Sequence, residues 1–361
     1  MPSLLSSAIA HPARNQPLLV LQSSSSQSCL PVFRDIVKKT IDRARERTVL
    51  FCLLYPPSSF LDSHAARAQA DNLLVVDRTV HVPGYEDDIE DSESGPSLGD
   101  AILDKVRSVP AGPLNVVVDS VDSLLSDLGS ISETTRILSE LLTVVRARGG
   151  TSRLILHVLA PSPLLPIVSQ TRFSPSLTHV ITHPTVLLTH LASAYLTPPP
   201  PLSAPEKFWG IFIPISERHY ESEKLVFGTG GEGGGLQEFV AEVLVRGGAD
   251  GSGRRRGVER SLEGWSPSLG GPCELRELEA LKSLWSRKPT SEVQDAPDPT
   301  QNLSFNLNLT PQQQRARAQV PLPYAHEGKP TEPTSSSAAI LYDPDSADDI
   351  DDDDPDEDLD I

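Results

Sequence analysis

The sequence predicts an α/β protein with a mostly parallel sheet, helices on both faces and no phosphate-binding loop. Continuous runs of Val, Leu and Ile have the composition of strands buried on both sides, and amphipathic segments with helical spacing alternate with them. The 361 residues include 38% hydrophobic residues, 33 Pro and 23 Gly. This composition predicts one substantial core together with chain that does not fold.

The first half of the chain supplies the alternating pattern. Pro31 opens a helix whose apolar positions, from Phe33 to Ala44, fall on one face. Ser130 and Glu133 have the spacing of a capping box, and Gly149 follows the helix that they begin. The predicted strands are 17–22, 48–55, 73–77, 114–119 and 153–159, and the predicted helices are 31–47, 97–109 and 130–148.

The pattern changes at about residue 177. Segments 178–182, 208–215 and 224–227 resemble strands without long helices between them, which predicts late antiparallel pairing at one edge of the sheet. Leu236–Val245 is predicted as the last helix of the folded domain, which we expect to span residues 1–246.

The remaining chain is expected to be largely disordered. Residues 247–302 form a Gly/Pro/Ser-rich linker, interrupted by the amphipathic segment Glu274–Trp285. Residues 303–342 hold short motifs, and 343–361 form an acidic tail. Because apolar side chains inside polar chain are typical of docking motifs, partner docking is the favoured interpretation. A local cover for the chain's own core is the alternative. The candidate docking residues are Trp285, Phe305, Leu307 and Leu309.

The formal net charge of −18 is concentrated in two acidic runs. Residues 343–361 hold twelve acidic residues and residues 86–93 hold six, which leaves 31 acidic against 31 basic residues elsewhere. Such blocks repel themselves and stay solvated. A basic protein that coats nucleic acid is therefore excluded as the simple interpretation, although a local basic patch is not.

The cysteine pattern and the length of the apolar runs bear on the cellular compartment of the protein. Cys29, Cys52 and Cys273 are far apart and form no CxxC pair, so neither a zinc ribbon nor a redox pair is supported. Sparse cysteines suit a reducing environment. Membrane spans need about 18 consecutive apolar residues, which we do not find, and the first residues lack the positive region of a signal peptide. We expect a cytoplasmic and nuclear protein.

The turn after the first strand lacks the chemistry of a phosphate loop. Such a loop needs glycines, whose N–H groups wrap the phosphate, and a Lys-Ser/Thr pair. Here residues 22–29 contain no glycine, and the first glycine and lysine of the chain are Gly84 and Lys38. Asp119 ends an apolar strand, where a nucleotide hydrolase would place its magnesium-binding acid. Without a phosphate loop, we favour an exposed acid beside Asp122 that caps the next turn.

Three further features have weak chemical signals. His179, His183 and His190 lack a nearby acidic residue or cysteine, so we favour ordinary core or loop histidines over a metal site. Gly228–Gly235 contains no lysine and is expected to be a flexible connector. Arg254–Arg256 is more typical of a solvated linker than of a nuclear-import or RNA-binding patch. We therefore expect no catalytic residue, cofactor or metal ligand.

The C-terminal third carries three blocks in a fixed order: Ser304–Thr310 (SFNLNLT) with a Gln/Arg-rich continuation, Val320–Tyr324 (VPLPY), and Ile340–Asp349 (ILYDPDSADD) running into the acidic end. This arrangement resembles the C-terminus of the fifth subunit of the Elongator complex in its fungal form. The N-terminal region is similar to that family in plan, as a RecA-like α/β domain with degenerate nucleotide motifs.

This resemblance implies a non-catalytic role. In the family, subunits four, five and six form a hetero-hexameric ring with two copies of each, an accessory to the subunits that modify the wobble uridine of tRNA. The ring binds tRNA and is thought to help release it in an ATP-linked step. Two alternatives remain: a divergent ATPase that uses Asp119, and an acidic scaffold without an RNA role.

Overall fold

The structure, a computed structural model, describes residues 3–10, 16–43, 45–61, 72–80, 97–229, 237–247, 257–286, 312 and 315. The chain divides into two units, Met1–Pro289 and Thr290–Ile361. In the second unit only Gln312 and Arg315 are described, both helical. All the elements below belong to the first unit.

The described residues of this unit build one sheet of nine strands in the order β3-β2-β4-β5-β1-β6-β7-β8-β9. The first six strands in this order are parallel, and pairing from β6 to β9 is antiparallel. The strands are β1 Leu18–Ser24, β2 Arg47–Cys52, β3 Leu73–Asp77, β4 Leu114–Val118, β5 Arg153–Ala160, β6 Leu177–Pro184, β7 Phe239–Arg246, β8 Glu259–Ser266 and β9 Gly271–Cys273.

Helices connect and cover these strands. In chain order they are α1 Leu4–Ala10, α2 Leu30–Ile41, α3 Leu98–Ser108, α4 Val121–Leu128, α5 Ile131–Arg148, α6 Leu165–Val168, α7 Thr185–Ala194, α8 Pro205–Ser216, α9 His219–Phe227 and α10 Lys282–Ser286. Short 3-10 turns lie at Pro57–Ser59, Leu275–Glu277 and Glu279–Leu281. No helix in the described part of the chain is both long and apolar enough to cross a membrane.

Both faces of the parallel sheet are buried. Successive strand residues point to opposite faces, so Val116 and Val118 pack into one core and Val117 into the other. The first core is covered by α3, α4 and α5, and the second by α1 and α2. The predicted fold class, a mostly parallel sheet with helices on both faces, is confirmed.

Helix α1 is held at both ends by charged side chains of distant segments. The N–H groups of Leu4 and Leu5 donate to the Glu263 carboxylate on β8, at 2.7 and 3.1 Å. At the other end, Arg153 and Arg43 donate to carbonyl oxygens of the last turn, including Ala8 O at 2.8 Å. An acid at the N-terminus and bases at the C-terminus are the arrangement that the helix dipole favours.

Three predictions between residues 208 and 245 are wrong. Segment 208–215 belongs to helix α8, which buries Phe208, Phe212 and Ile215 at helical spacing. Segment 224–227 is the end of α9, and Leu236–Val245, predicted as a helix, overlaps strand β7 from Phe239 onward. The predicted antiparallel pairing does occur, but between β6 and β7. These segments are apolar on most sides, so their sequences show neither the 3.6-residue period of a helix nor the two-residue period of a strand. Helix and strand therefore could not be distinguished from sequence there.

The folded unit also extends beyond the predicted boundary at residue 246. Strand β8 pairs with β7 from Phe239↔Trp265 to Val245↔Glu259, inside the segment predicted as linker. Leu275, Leu278 and Leu281 then pack with α7, α8 and Val240 into a third core. Gly264 permits this packing, because a Cβ there would lie 2.8 Å from Cys273 Sγ and 3.0 Å from Leu278 Cγ. The segment Glu274–Trp285 therefore covers the chain's own core, which was the alternative interpretation.

Candidate functional site

The turn between β1 and α2 is closed by its own serines. Ser23 Oγ accepts the Cys29 N–H at 2.9 Å, and Ser28 Oγ accepts the Leu30 N–H at 3.2 Å. Ser24 Oγ accepts the Gln27 N–H at 3.2 Å. The next residue of the helix is Pro31, which has no N–H. The N–H groups of Gln27, Cys29 and Leu30 are thus used within the turn, and Pro31 offers none.

A chain of hydrogen bonds fixes this turn to the neighbouring strand ends. His157 Nδ1 lies 2.6 Å from the Asp119 carbonyl oxygen, which can only accept, so Nδ1 carries the proton. His157 Nε2 then accepts from Ser23 Oγ at 2.8 Å. Burial lowers the pKa of His157, which favours the neutral ring that this chain requires.

Asp119 caps the loop that follows β2. Its carboxylate accepts three backbone N–H groups, from Leu53 at 2.7 Å, Leu54 at 3.0 Å and Tyr55 at 2.8 Å. The sequence predicted an exposed acid that caps the next turn, and this prediction is wrong: Asp119 is fully buried, and the N–H groups that it caps belong to a distant loop. Burial raises the pKa of Asp119, and the N–H bonds oppose that rise. Asp122 caps Leu159 N–H instead, at 2.8 Å.

Two of the three histidines singled out in the sequence lie on β6. His183 Nε2 is 2.9 Å from Glu242 on β7, and Arg260 Nε on β8 is 3.2 Å from the other oxygen of that carboxylate. Burial alone would raise the pKa of Glu242, but the bond from His183 and the charges of His183 and Arg260 bring it below its usual value. His179 is buried four residues earlier, while His190 on α7 packs against Tyr195.

These histidines do not converge on one point. His179 and His183 share a face of β6 but are separated along the strand, and His190 belongs to another element. Among the described residues, no group of three or more His, Cys, Asp or Glu side chains has the geometry to hold a metal ion.

The other candidate residues are only partly within the described chain. Gly228 ends helix α9, not a strand as predicted, and most of Gly228–Gly235 lies outside the described residues. Arg254–Arg256, Phe305, Leu307 and Leu309 also lie outside them. Trp285 is partly buried on α10 against the third core, and its docking role stays a prediction.

Sequence reasoning missed the two residues that pair with the β6 histidines. Glu242 stands inside the apolar run 239–245, where a charged residue in a buried strand calls for a partner. Because that run was assigned to a helix, Glu242 was not recognised as buried. Arg260 was missed because its segment was assigned to a linker.

Comparison with known proteins identifies a family. The model of the family described as Elongator subunit Iki1 matches residues 4–343. A search of curated proteins gives no match. Among solved structures, a KaiC-like protein of the hyperthermophilic archaeon Pyrococcus horikoshii aligns with a TM-score of 0.39 and 13% identity, over 71% of this chain and 88% of that chain.

Proposed function

The chain belongs to the Elongator subunit Iki1 family, and from this premise we propose that it is a non-catalytic subunit of an accessory ring of the Elongator complex. In this proposal it joins subunits four and six in a hetero-hexamer with two copies of each. The ring supports modification of the wobble uridine of tRNA by binding tRNA and releasing it. The protein acts in the cytoplasm and the nucleus.

The closed turn between β1 and α2 is the observation that supports a non-catalytic role. Three N–H groups of this turn are bonded to its own serines, and both carboxylate oxygens of Asp119 accept backbone N–H groups. Three backbone N–H bonds therefore hold this carboxylate on the chain itself. These residues stabilise the carboxyl edge of the sheet.

Binding to tRNA has to come from local cations. The net charge of −18 opposes RNA, but outside the two acidic runs the charges balance. Arginine and lysine side chains on ring loops would then make the phosphate contacts. Such binding is favoured by the release of counterions from the RNA, and because this gain shrinks as the salt concentration rises, the affinity should depend strongly on salt.

The ring is tested by co-expressing the full-length chain with subunits four and six and measuring the mass of the purified complex under native conditions. A hexamer with two copies of each chain is expected, and it should bind tRNA with an affinity that falls as salt rises. A folded monomer that associates with neither subunit would overturn the ring. A hexamer indifferent to tRNA would overturn the RNA role alone.

The non-catalytic part has its own test, ATP turnover by the purified single chain. No turnover above a no-protein control is expected. Turnover that disappears in a folded Asp119→Asn variant, and persists in Asp122→Asn, would establish the divergent ATPase instead. The second variant is the matched control because Asp122 also caps a backbone N–H next to a strand end.

A further inference from the structure

Three arginines surround one loop at the edge of the sheet where the parallel strands begin. The loop leads from α6 into β6. Arg246, the last residue of β7, donates to Ser169 O at 2.7 Å and to Ser174 O at 2.9 Å. Arg146, in the last turn of α5, donates to Ser174 Oγ at 2.8 Å. Arg172 lies on the loop itself and is exposed. These three residues form the arginine patch.

The loop and the end of β7 are in direct contact, which fixes two of the three guanidinium groups. Gly247 follows Arg246 with a φ of +77°, and a Cβ at this position would overlap the Pro175 carbonyl oxygen. Because Ser174 accepts from both Arg146 and Arg246, these two side chains converge on one residue. The charges of the patch are therefore close together and held by the fold.

No carboxylate in the described part of the chain neutralises the patch. None of its three arginines forms an ion pair there, and burial lowers the pKa of both Arg146 and Arg246 without an acidic neighbour to offset it. Glu259 begins the adjacent strand, but it pairs with Val245 and so points to the sheet face opposite Arg246. The positive charge of the patch is thus uncompensated.

The connection from β7 to β8 starts and ends at this same edge. Its residues 248–256 lie outside the described residues and are not counted in the patch. Their sequence holds one acidic residue, Asp250, and three basic ones, Arg254–Arg256. This connection therefore supplies no surplus of acid that could neutralise the patch.

The helix dipole explains one of the three arginines. A basic residue in the last turn of a helix is favourable, and Arg146 occupies that position in α5. Arg172 lies on a loop and Arg246 at the end of a strand, where no helix dipole requires them. Three arginines that share one loop and lack an acidic partner favour a binding partner that brings the negative charge.

The chemistry of the patch suits phosphate groups better than bases. A guanidinium group is planar and matches a phosphate with two parallel hydrogen bonds. Recognition of unpaired bases uses exposed aromatic side chains for stacking. The aromatic residue of this loop, Phe173, packs against the first core instead. Contacts from the patch would therefore position a nucleic acid by its backbone without reading its sequence.

We propose that the arginine patch binds the phosphate backbone of RNA, which in the ring is tRNA. This inference rests on the proposed function and deepens it by assigning the phosphate contacts to Arg146, Arg172 and Arg246. The contact does not discriminate between tRNA sequences.

The test measures binding of tRNA to the purified ring of the full-length chain with subunits four and six, at salt concentrations from about 50 to about 200 mM. The double variant Arg146→Gln/Arg172→Gln removes two charges from each copy. We expect its dissociation constant to rise about tenfold at the lowest salt concentration. The slope of log affinity against log salt should become shallower by about 1.5, because each phosphate contact contributes about 0.7–0.9.

Two further variants separate the patch from general effects. Arg107→Gln/Arg136→Gln is the matched control, because it removes the same charge from two arginines that are ion-paired with Glu140. It should bind tRNA with the slope of the unmodified ring. Arg146→Lys/Arg172→Lys keeps the charges and should retain the slope, although it loses the bond from Arg146 to Ser174.

An unchanged slope in Arg146→Gln/Arg172→Gln, or an equal loss in the control, would overturn the patch while the RNA role of the ring stands. If the glutamine variant does not fold, Arg172→Glu replaces it, since Arg172 makes no bond within the described chain. Undiminished tRNA binding in that variant would also overturn the patch. A folded variant that no longer joins subunits four and six would make this surface a protein interface and overturn its assignment to RNA. An unmodified ring that does not bind tRNA would overturn the RNA role and this inference together.

Discussion

Replacing Asp119 by alanine should destabilise the fold, whatever it does to any activity. The substitution removes the acceptor of three N–H groups, those of Leu53, Leu54 and Tyr55. A hydrogen bond to a charged group contributes about 1.5–3 kcal/mol, and the partial exposure of this loop places each bond at the low end. We therefore expect a loss of about 3–5 kcal/mol in the free energy of unfolding.

Urea denaturation followed by circular dichroism measures this loss as a lower midpoint at unchanged slope. Asp122→Ala is the matched control, because that carboxylate accepts one N–H, from Leu159, and should cost about 1 kcal/mol. The loss of unfolding free energy in Asp119→Asn should lie between those of the two alanine variants, since the amide oxygen of asparagine can still accept some of the N–H groups. An Asp119→Ala protein within about 0.5 kcal/mol of the unmodified chain would refute the structural role.

Three other perturbations have definite outcomes. Acid should weaken the fold: His179 titrates near its ordinary value when unfolded but at about 4 when folded, so the unfolded state takes up protons first as pH falls. The loss begins below about pH 6.5 and approaches about 3 kcal/mol at pH 4, and thermal melts of His179→Phe should lack it. Glu263→Ala should cost about 1–2 kcal/mol and speed amide exchange at Leu4 and Leu5; unchanged exchange would contradict the clamp on α1. A fragment of residues 1–246 should aggregate, whereas residues 1–289 should melt cooperatively; the reverse would show that β8 is dispensable.

The parallel half of the fold could be predicted because its apolar residues recur at the regular spacing of helices. Helix α5 shows its buried face in Ile137, Leu141 and Val145, and Ser130 caps its start through the Glu133 N–H. In the antiparallel half, the sequence shows no such regular spacing of apolar residues. Strand β7 packs Val243 into the second core and Val240 into the third, so both faces are apolar and no alternation marks a strand.

The contacts of the site were less predictable than its residues. An acid at the end of β4 could be located from sequence, but its partners come from residues 53–55, more than sixty positions earlier. Likewise Glu242, His183 and Arg260 meet only because three strands pair in a particular register. Spacing along the chain carries no information about such register, which depends on tertiary packing.

The contacts that hold the two ends of α1, from Glu263 at its start and from Arg43 and Arg153 at its end, have a consequence for biosynthesis. Glu263 is made about 258 residues after Leu5, whose N–H it accepts. At about 5–20 residues per second, the ribosome needs on the order of tens of seconds to supply that carboxylate. Throughout this interval Leu5 and Ile9, both fully buried in the finished fold, have no complete site to enter. The buried apolar residues of α1 therefore lack their final contacts until β8 emerges, and docking of α1 follows the synthesis of β8.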